Sequence, residues 1–265
     1  MKFKTLLYCL CLSTAVIAQA QDESIDKYEQ WGPKDIHNSG WTIRAGYVIG
    51  GTTPLPLPNE IRHINEFSPL GGFTFGADYF HMFGRRIGIQ FGAHLYYEGF
   101  HTSADVKNYR MAITQGNSYL DGYFTGTDIT DTKMFGLTIP VTATVRISPR
   151  WNVSVGPFIS FIGKGSFKGE VYDNDKGVGY LREGDPTGPK IEMTRKNPAT
   201  YDFSSDMRHF FWGIQALFEW KAVKRITVFG GVDWGLSSIF PSDFETISFG
   251  MYPVYAKIGL GYRIR

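Results

Sequence analysis

The 265-residue chain is poor in cysteine. Cys9 and Cys11 are its only thiols, so everything after them lacks a disulfide frame and a cysteine-ligated metal site. Long apolar runs are also missing: beyond residue 20 no stretch approaches the roughly eighteen continuous apolar residues of a membrane helix. Nor is there an excess of one charge. Lys and Arg number 27 against 25 Asp and Glu, and the two surplus bases, Lys2 and Lys4, stand in the first four residues. The remainder is neutral and offers no concentrated basic face for nucleic acid. The six histidines, His37, His63, His81, His94, His101 and His209, show no paired metal spacing and no zinc-protease pattern. No nucleophile elbow occurs. The sequence therefore predicts no catalytic, cofactor-binding or metal-ligating set, and a non-enzymatic protein.

The first segment reads as a secretory signal. Lys2 and Lys4 precede an apolar run from Leu6 to Ile17, and Ala18-Gln19-Ala20 supplies a small-residue cleavage site, so residues 1–20 are expected to be removed. Both cysteines fall inside it, preceded by Tyr8 and Leu10 rather than the small residue of a lipoprotein site. Residues 21–40 then form an N-terminal periplasmic segment ahead of one domain over 41–265, because no composition shift divides the rest.

What that domain does contain is alternation. From Ile87 to Tyr97 the apolar set Ile87, Ile89, Phe91, Ala93, Leu95 and Tyr97 is interleaved with Gly88, Gln90, Gly92, His94 and Tyr96. A strand's side chains point alternately to its two faces, whereas a helix would space its apolar residues by three and four. The same period-two pattern recurs over Trp41–Ile49, residues 72–80, Phe135–Arg146, Val153–Phe161, Phe210–Trp220, Ile226–Leu236 and Tyr252–Ile264. Each run is near the roughly 9 to 11 residues with which a tilted strand crosses a bilayer. Connections after the second, fourth and sixth runs are a few residues long; the others extend from about a dozen to about forty. Short turns on one side and long loops on the other are the wiring of a transmembrane barrel. The expectation is an all-β, eight-stranded antiparallel up-and-down transmembrane β-barrel, with N- and C-termini and short turns periplasmic and long loops external.

With apolar faces outward, Trp41, Tyr79, Trp220 and Tyr262 gather at one membrane edge and Tyr97, Trp212, Trp234 and Tyr252 at the other, as two aromatic girdles. Gly46, Gly76, Gly88, Gly92 and most other strand glycines take the opposite face, where a narrow barrel needs small residues. The same face carries Arg44, Asp78, Arg146, Glu219 and Arg263, predicted to be an interior salt-bridge cluster, with a proton or ion path as the functional alternative. His94 and His209 are placed in the lumen as hydrogen-bonded packing groups. A bore this narrow argues against a general diffusion pore. Pro140, Pro157 and Pro253 lie inside ladders that need their missing N–H groups, which predicts bulges or broken pairing.

Among the loops, Pro54-Leu55-Pro56-Leu57-Pro58 favours extended polyproline-like backbone bracing a rim. Gly163, Gly165 and Gly169 miss the dinucleotide spacing, and Gly163–Ser205 reads as a long polar loop. Asp173, Asn174, Asp175 and Gly177 make an acidic turn without the oxygen spacing of an EF-hand, read as an ordinary turn rather than a calcium site.

Leu137-Thr138-Ile139-Pro140, Val155-Gly156-Pro157-Phe158-Ile159-Ser160 and Ile258-Gly259-Leu260-Gly261-Tyr262-Arg263 make the chain resemble the PorT-like family of small outer-membrane β-barrels. The resemblance implies residence in the outer membrane of a didermal bacterium, contact with its lipid and lipopolysaccharide, and insertion by the barrel-assembly machinery. For some relatives it also implies a part in protein secretion or surface assembly. Such chains finish on an aromatic residue; Tyr262 is expected to serve that role ahead of Ile264-Arg265. Four readings follow: a structural or surface-binding barrel, a secretion accessory, a lipid-modifying barrel enzyme, and a soluble lipocalin-like barrel. The last is disfavoured because lipocalins turn apolar residues inward.

Overall fold

The computed structural model describes residues 38–264 apart from 117, 185, 186, 245, 247 and 248. The expected signal at 1–20 and most of the 21–40 segment, His37 included, lie outside them. Twelve strands follow in chain order: β1 (Ser39–Pro54), β2 (Ile61–Pro69), β3 (Gly72–Met82), β4 (Ile87–Gln115), β5 (Ser118–Arg146), β6 (Trp151–Tyr172), β7 (Tyr180–Glu183), β8 (Lys190–Glu192), β9 (Ala199–Asp202), β10 (Phe210–Lys221), β11 (Ile226–Gly235) and β12 (Met251–Ile264). Eight of them, β1, β3, β4, β5, β6, β10, β11 and β12, pair antiparallel each with the next, and β12 closes onto β1 from Trp41↔Ile264 to Pro54↔Met251. A closed ring leaves no sheet edge exposed, which is what a bilayer demands of strands.

The lower ring is inside-out relative to a soluble protein. Trp41, Phe73, Phe91, Val141, Ile159, Trp212 and Leu260 are exposed, while Thr42, Arg44, Asp78, Gln90, Thr142, Gln215 and Glu219 are buried. Small interior residues are required where large ones cross the lumen. A Cβ on either of the paired Gly46 and Gly259 would stand 2.8 Å from Cζ of Phe229, whose ring fills the space above them.

Two of the expected long loops are instead strands. β4 and β5 run 29 residues each and meet in a tight turn at Gly116, and β6 runs 22 residues. Subtracting about 11 residues for the bilayer leaves some 18, roughly 60 Å of strand, outside it. In this extension the polarity of the faces reverses. On β4 the inward side passes from Gly88, Gln90 and His94 to Phe100, Ala104 and Val106, while the outward side passes from Phe91 and Leu95 to His101, Ser103 and Asp105. On β5 the outward series ends at Phe135 and continues as Lys133 and Asp131. Two irregularities then change the phase. Gly163 is extra where Gly136↔Ile162 follows Phe135↔Lys164, after which Phe167 and Val171 face inward. The β4 ladder also slips between Val106 and Tyr109 around Asn108, whose φ of 54° is the left-handed conformation asparagine tolerates. Tyr109, Met111 and Ile113 are thereby buried. β2, β7, β8, β9 and residues 236–244 cover the extension, giving it a hydrophobic core of its own that includes Phe124, Leu181, Met193, Tyr201 and Ile239.

The expected broken pairing occurs beside Pro140 and Pro157 but not in the β1–β12 ladder at Pro253. Pairing of β5 with β6 lapses between Pro140↔Phe158 and Ala143↔Val155, opposite Pro157, without a register shift. Pro253 pairs with Thr52 in an unbroken ladder, one residue past the end of the β11 ladder at Trp234↔Val254. An edge position is where a missing N–H is tolerated. Pro54–Pro58 contains a cis Leu55–Pro56 bond.

Candidate functional site

Three places collect polar or apolar groups that the fold alone does not require: the lower lumen, the upper lumen and the external extension. In the lower lumen, inward positions on β1, β3 and β10 bring Arg44, Asp78 and Glu219 together. Arg44 Nη1 donates to Asp78 Oδ2 at 2.7 Å and Nη2 donates to Glu219 Oε1 at 2.6 Å. His94 Nε2 lies 2.9 Å from the same Asp78 oxygen. The Gln90 amide, oriented by the network, turns its oxygen to the guanidinium at 2.6 and 2.9 Å.

Of the five charges expected to cluster, Arg263 lines the same small cavity as Arg44, Asp78 and Glu219 without a direct ion pair to them, and Arg146 lies at its edge among the turn groups. Arg263 stacks over the Phe80 ring at 4.5 Å, and Arg146 donates to the Arg85 carbonyl. Nothing in the residue pattern singles out Gln90 for the cluster, because an inward amide looks the same as any lumen-filling polar residue. His209 corrects an expectation: it precedes β10 and is exposed at the external rim, not in the lumen, because the inward phase begins only at Phe211.

Higher in the bore, Lys257 Nζ donates to Asp233 Oδ2 at 2.8 Å and Gln215 Nε2 to Asp233 Oδ1 at 3.0 Å. Glu98, Tyr96 and Tyr255 crowd the same level. Two small cavities in the bore measure about 30 Å³ above and about 10 Å³ at the Arg44 cluster. A single water needs about 10–15 Å³. The bore is a packed interior, and the charge cluster is a plug rather than a channel lining.

The acidic turn is consumed internally. Asn174 Oδ1 accepts from the N–H groups of Lys176 and Val178, Asp173 Oδ1 accepts from Arg195 N, and Asp175 pairs with the Arg195 guanidinium at 2.7 Å. One row bears on hydrolytic chemistry. Ser68, His101 and Asp131 are aligned across β2, β4 and β5, with His101 Nδ1 2.9 Å from Asp131 Oδ1. The Ser68 hydroxyl, however, donates to Glu66 at 2.8 Å, so the serine–histidine hydrogen bond that activates a nucleophile is not formed.

The extension holds an apolar pocket. Its volume is about 130 Å³ and it lies between the β1–β2 hairpin, β4, β5, β6 and β9. Buried Phe100, Met111, Phe167 and Tyr201 form the deep wall, and exposed Leu57, Ile64 and Phe67 mark the mouth. A single carboxyl, Asp128, interrupts the apolar lining and accepts a hydrogen bond from Tyr201 Oη at 2.8 Å. Asp128 lies well outside the lipid-facing band, and burial pushes its carboxyl up to about 7, against the opposing effect of the Tyr201 hydrogen bond. Burial also raises the Tyr109 and Tyr201 phenols well above their ordinary range. Sequence reasoning missed this pocket because it took the connection after Tyr97 for a long loop and Gly163–Ser205 for a long polar one.

Comparison with known proteins bears on the family. The outer membrane protein beta-barrel domain family matches residues 19–241. Among solved structures, Ail, the attachment invasion locus protein of Yersinia pestis, is similar at 11% identity and a TM-score of 0.38, covering 86% of this chain and 100% of its own. OprG from Pseudomonas aeruginosa is similar at 12% identity and a TM-score of 0.31, covering 87% of this chain and 100% of its own. No curated protein matches the chain.

Proposed function

The chain belongs to the outer membrane protein beta-barrel domain family, and from that premise we propose that it is a non-enzymatic outer-membrane barrel whose external extension binds a ligand or partner at the cell surface. One observation carries the reading: a plugged barrel supports an apolar-cored extension of β4, β5 and β6 that far exceeds what crossing the membrane requires. The plug argues against transport as the main role. The long ends of the strands face outside, and the turns at 83–86, 147–150 and 222–225, together with both termini, face the periplasm. Outer-membrane lipid and lipopolysaccharide surround the lower ring.

Cysteine labelling tests the orientation, since Cys9 and Cys11 are the only native thiols. Ser118→Cys, at the tip of the extension, is expected to react with an impermeant maleimide on intact cells, and Arg150→Cys only after lysis. The reverse pattern would sink the reading. The same cells test the enzymatic alternative. Unchanged phospholipid and lipid A profiles on deletion support the binding role, and a specific loss of one modified lipid overturns it.

A secretion or surface-assembly accessory is the second reading. The resemblance to PorT-like barrels motivates it, and β2 supports it: among the described residues this strand pairs only with β4, leaving its other edge without a strand partner beside exposed Ile64 and Phe67. Free edges accept a partner's strand. This reading requires a stable complex and a secretion defect on deletion.

A further inference from the structure

We propose that the external pocket is a binding site for a small phenol, a single aromatic ring carrying a hydroxyl group. The proposal rests on the reading of the extension as the binding part of the protein and specifies what it binds. Size sets the first limit. The pocket of about 130 Å³ is close to the roughly 150 Å³ of an engineered apolar cavity that takes up benzene.

The walls set the second limit. Phe100, Phe167 and Tyr201 are buried around the space and offer ring faces and edges to a planar guest. Met111 adds an adaptable thioether wall. Leu57, Ile64 and Phe67 leave an apolar entrance rather than a charged one.

The third limit is polar. Asp128 projects its carboxyl into the lining, one oxygen engaged by Tyr201. An aliphatic or unsubstituted aromatic guest would bury this group without matching it, which is costly in apolar surroundings. A hydroxyl both donates and accepts. It serves an ionised carboxylate as donor and a protonated carboxyl as acceptor, and with a pKa near 7 Asp128 presents both forms around neutrality. A guest with only acceptor atoms would match just the protonated form.

Titration calorimetry on the purified full chain in detergent, with p-cresol, toluene and n-hexanol as probes, decides the matter. Wild-type protein is expected to bind p-cresol about tenfold more tightly than toluene, and n-hexanol more weakly than p-cresol. Asp128→Leu, similar in volume, should abolish the preference for p-cresol while keeping toluene binding. Ala104→Phe, which sends a ring into the pocket, should weaken both aromatic probes at least tenfold. Absence of p-cresol binding, equal affinity for p-cresol and toluene, or tighter n-hexanol binding would each overturn the proposal. If Ala104→Phe loses the heat-modifiable gel shift of a folded barrel, the Asp128→Leu comparison still decides. The assay in detergent does not depend on orientation, so its failure is separate from a failed surface-labelling result.

Discussion

At the scale of single residues, the governing question is how charge is tolerated away from water. Arg44 sits between two carboxylates with its side chain 3% exposed. Such an arrangement need not outperform an apolar plug, but removing one member leaves the others buried and unpaired. Arg44→Ala is therefore expected to destabilise the barrel by about 3–5 kcal/mol, read as a shift in the urea midpoint of the heat-modifiable form. Asp128 behaves differently, because its burden is burial without a cation. Its folded pKa of about 7 stands above the ordinary 3.8, so the folded state holds the proton more tightly than the unfolded one. The stabilisation this gives is complete below about pH 4 and lost as pH rises to about 7, in total about 4 kcal/mol at 1.36 kcal/mol per unit. Tyr109 and Tyr201 stay neutral throughout that window. Hydrogen exchange of the β9 amides should accelerate between pH 5 and 7 beyond the intrinsic rate, and Asp128→Asn should remove the excess.

Elements carry the membrane boundary. Alternation alone marks β1, β3, β10, β11 and β12, since these strands scarcely outrun the bilayer and every outward position meets lipid. For β4, β5 and β6 the same rule located only the lower portion. Beyond Tyr97, Phe135 and Phe161 the apolar residues move to the inner face, and at Gly163 and Asn108 the phase itself shifts. A pattern read with one fixed outward face ends where the solvent changes, so structured strand was taken for loop. The boundary makes a paired prediction. Val141→Arg, mid-span on the lipid face, should cost about 2–4 kcal/mol. Ser103→Arg, outward but above the boundary, should stay within about 0.5 kcal/mol. Equal costs in unfolding titrations from lipid vesicles would mean that the boundary is misplaced.

For the whole molecule, the decisive property is closure. Eight strands form a ring, the lower bore is filled by the Arg44 cluster and by Phe229 over Gly46 and Gly259, and the upper bore by the Lys257–Asp233 pair. The two cavities between them measure only about 30 and about 10 Å³. Reconstituted protein is expected to show no stable single-channel conductance in planar bilayers, and steady conductance steps would contradict the plug. The sequence by itself determined the all-β barrel, the outward apolar face, the inward glycines and the ionic character of the lumen, because each follows from period-two alternation against lipid. The ion-pair partners of Arg44, the exposed position of His209, the strand nature of the supposed loops and the pocket around Asp128 were decided only by tertiary structure. Those features depend on which residues from distant strands share a level of the barrel, and register between strands is set by the closed ring rather than by the pattern within any one strand.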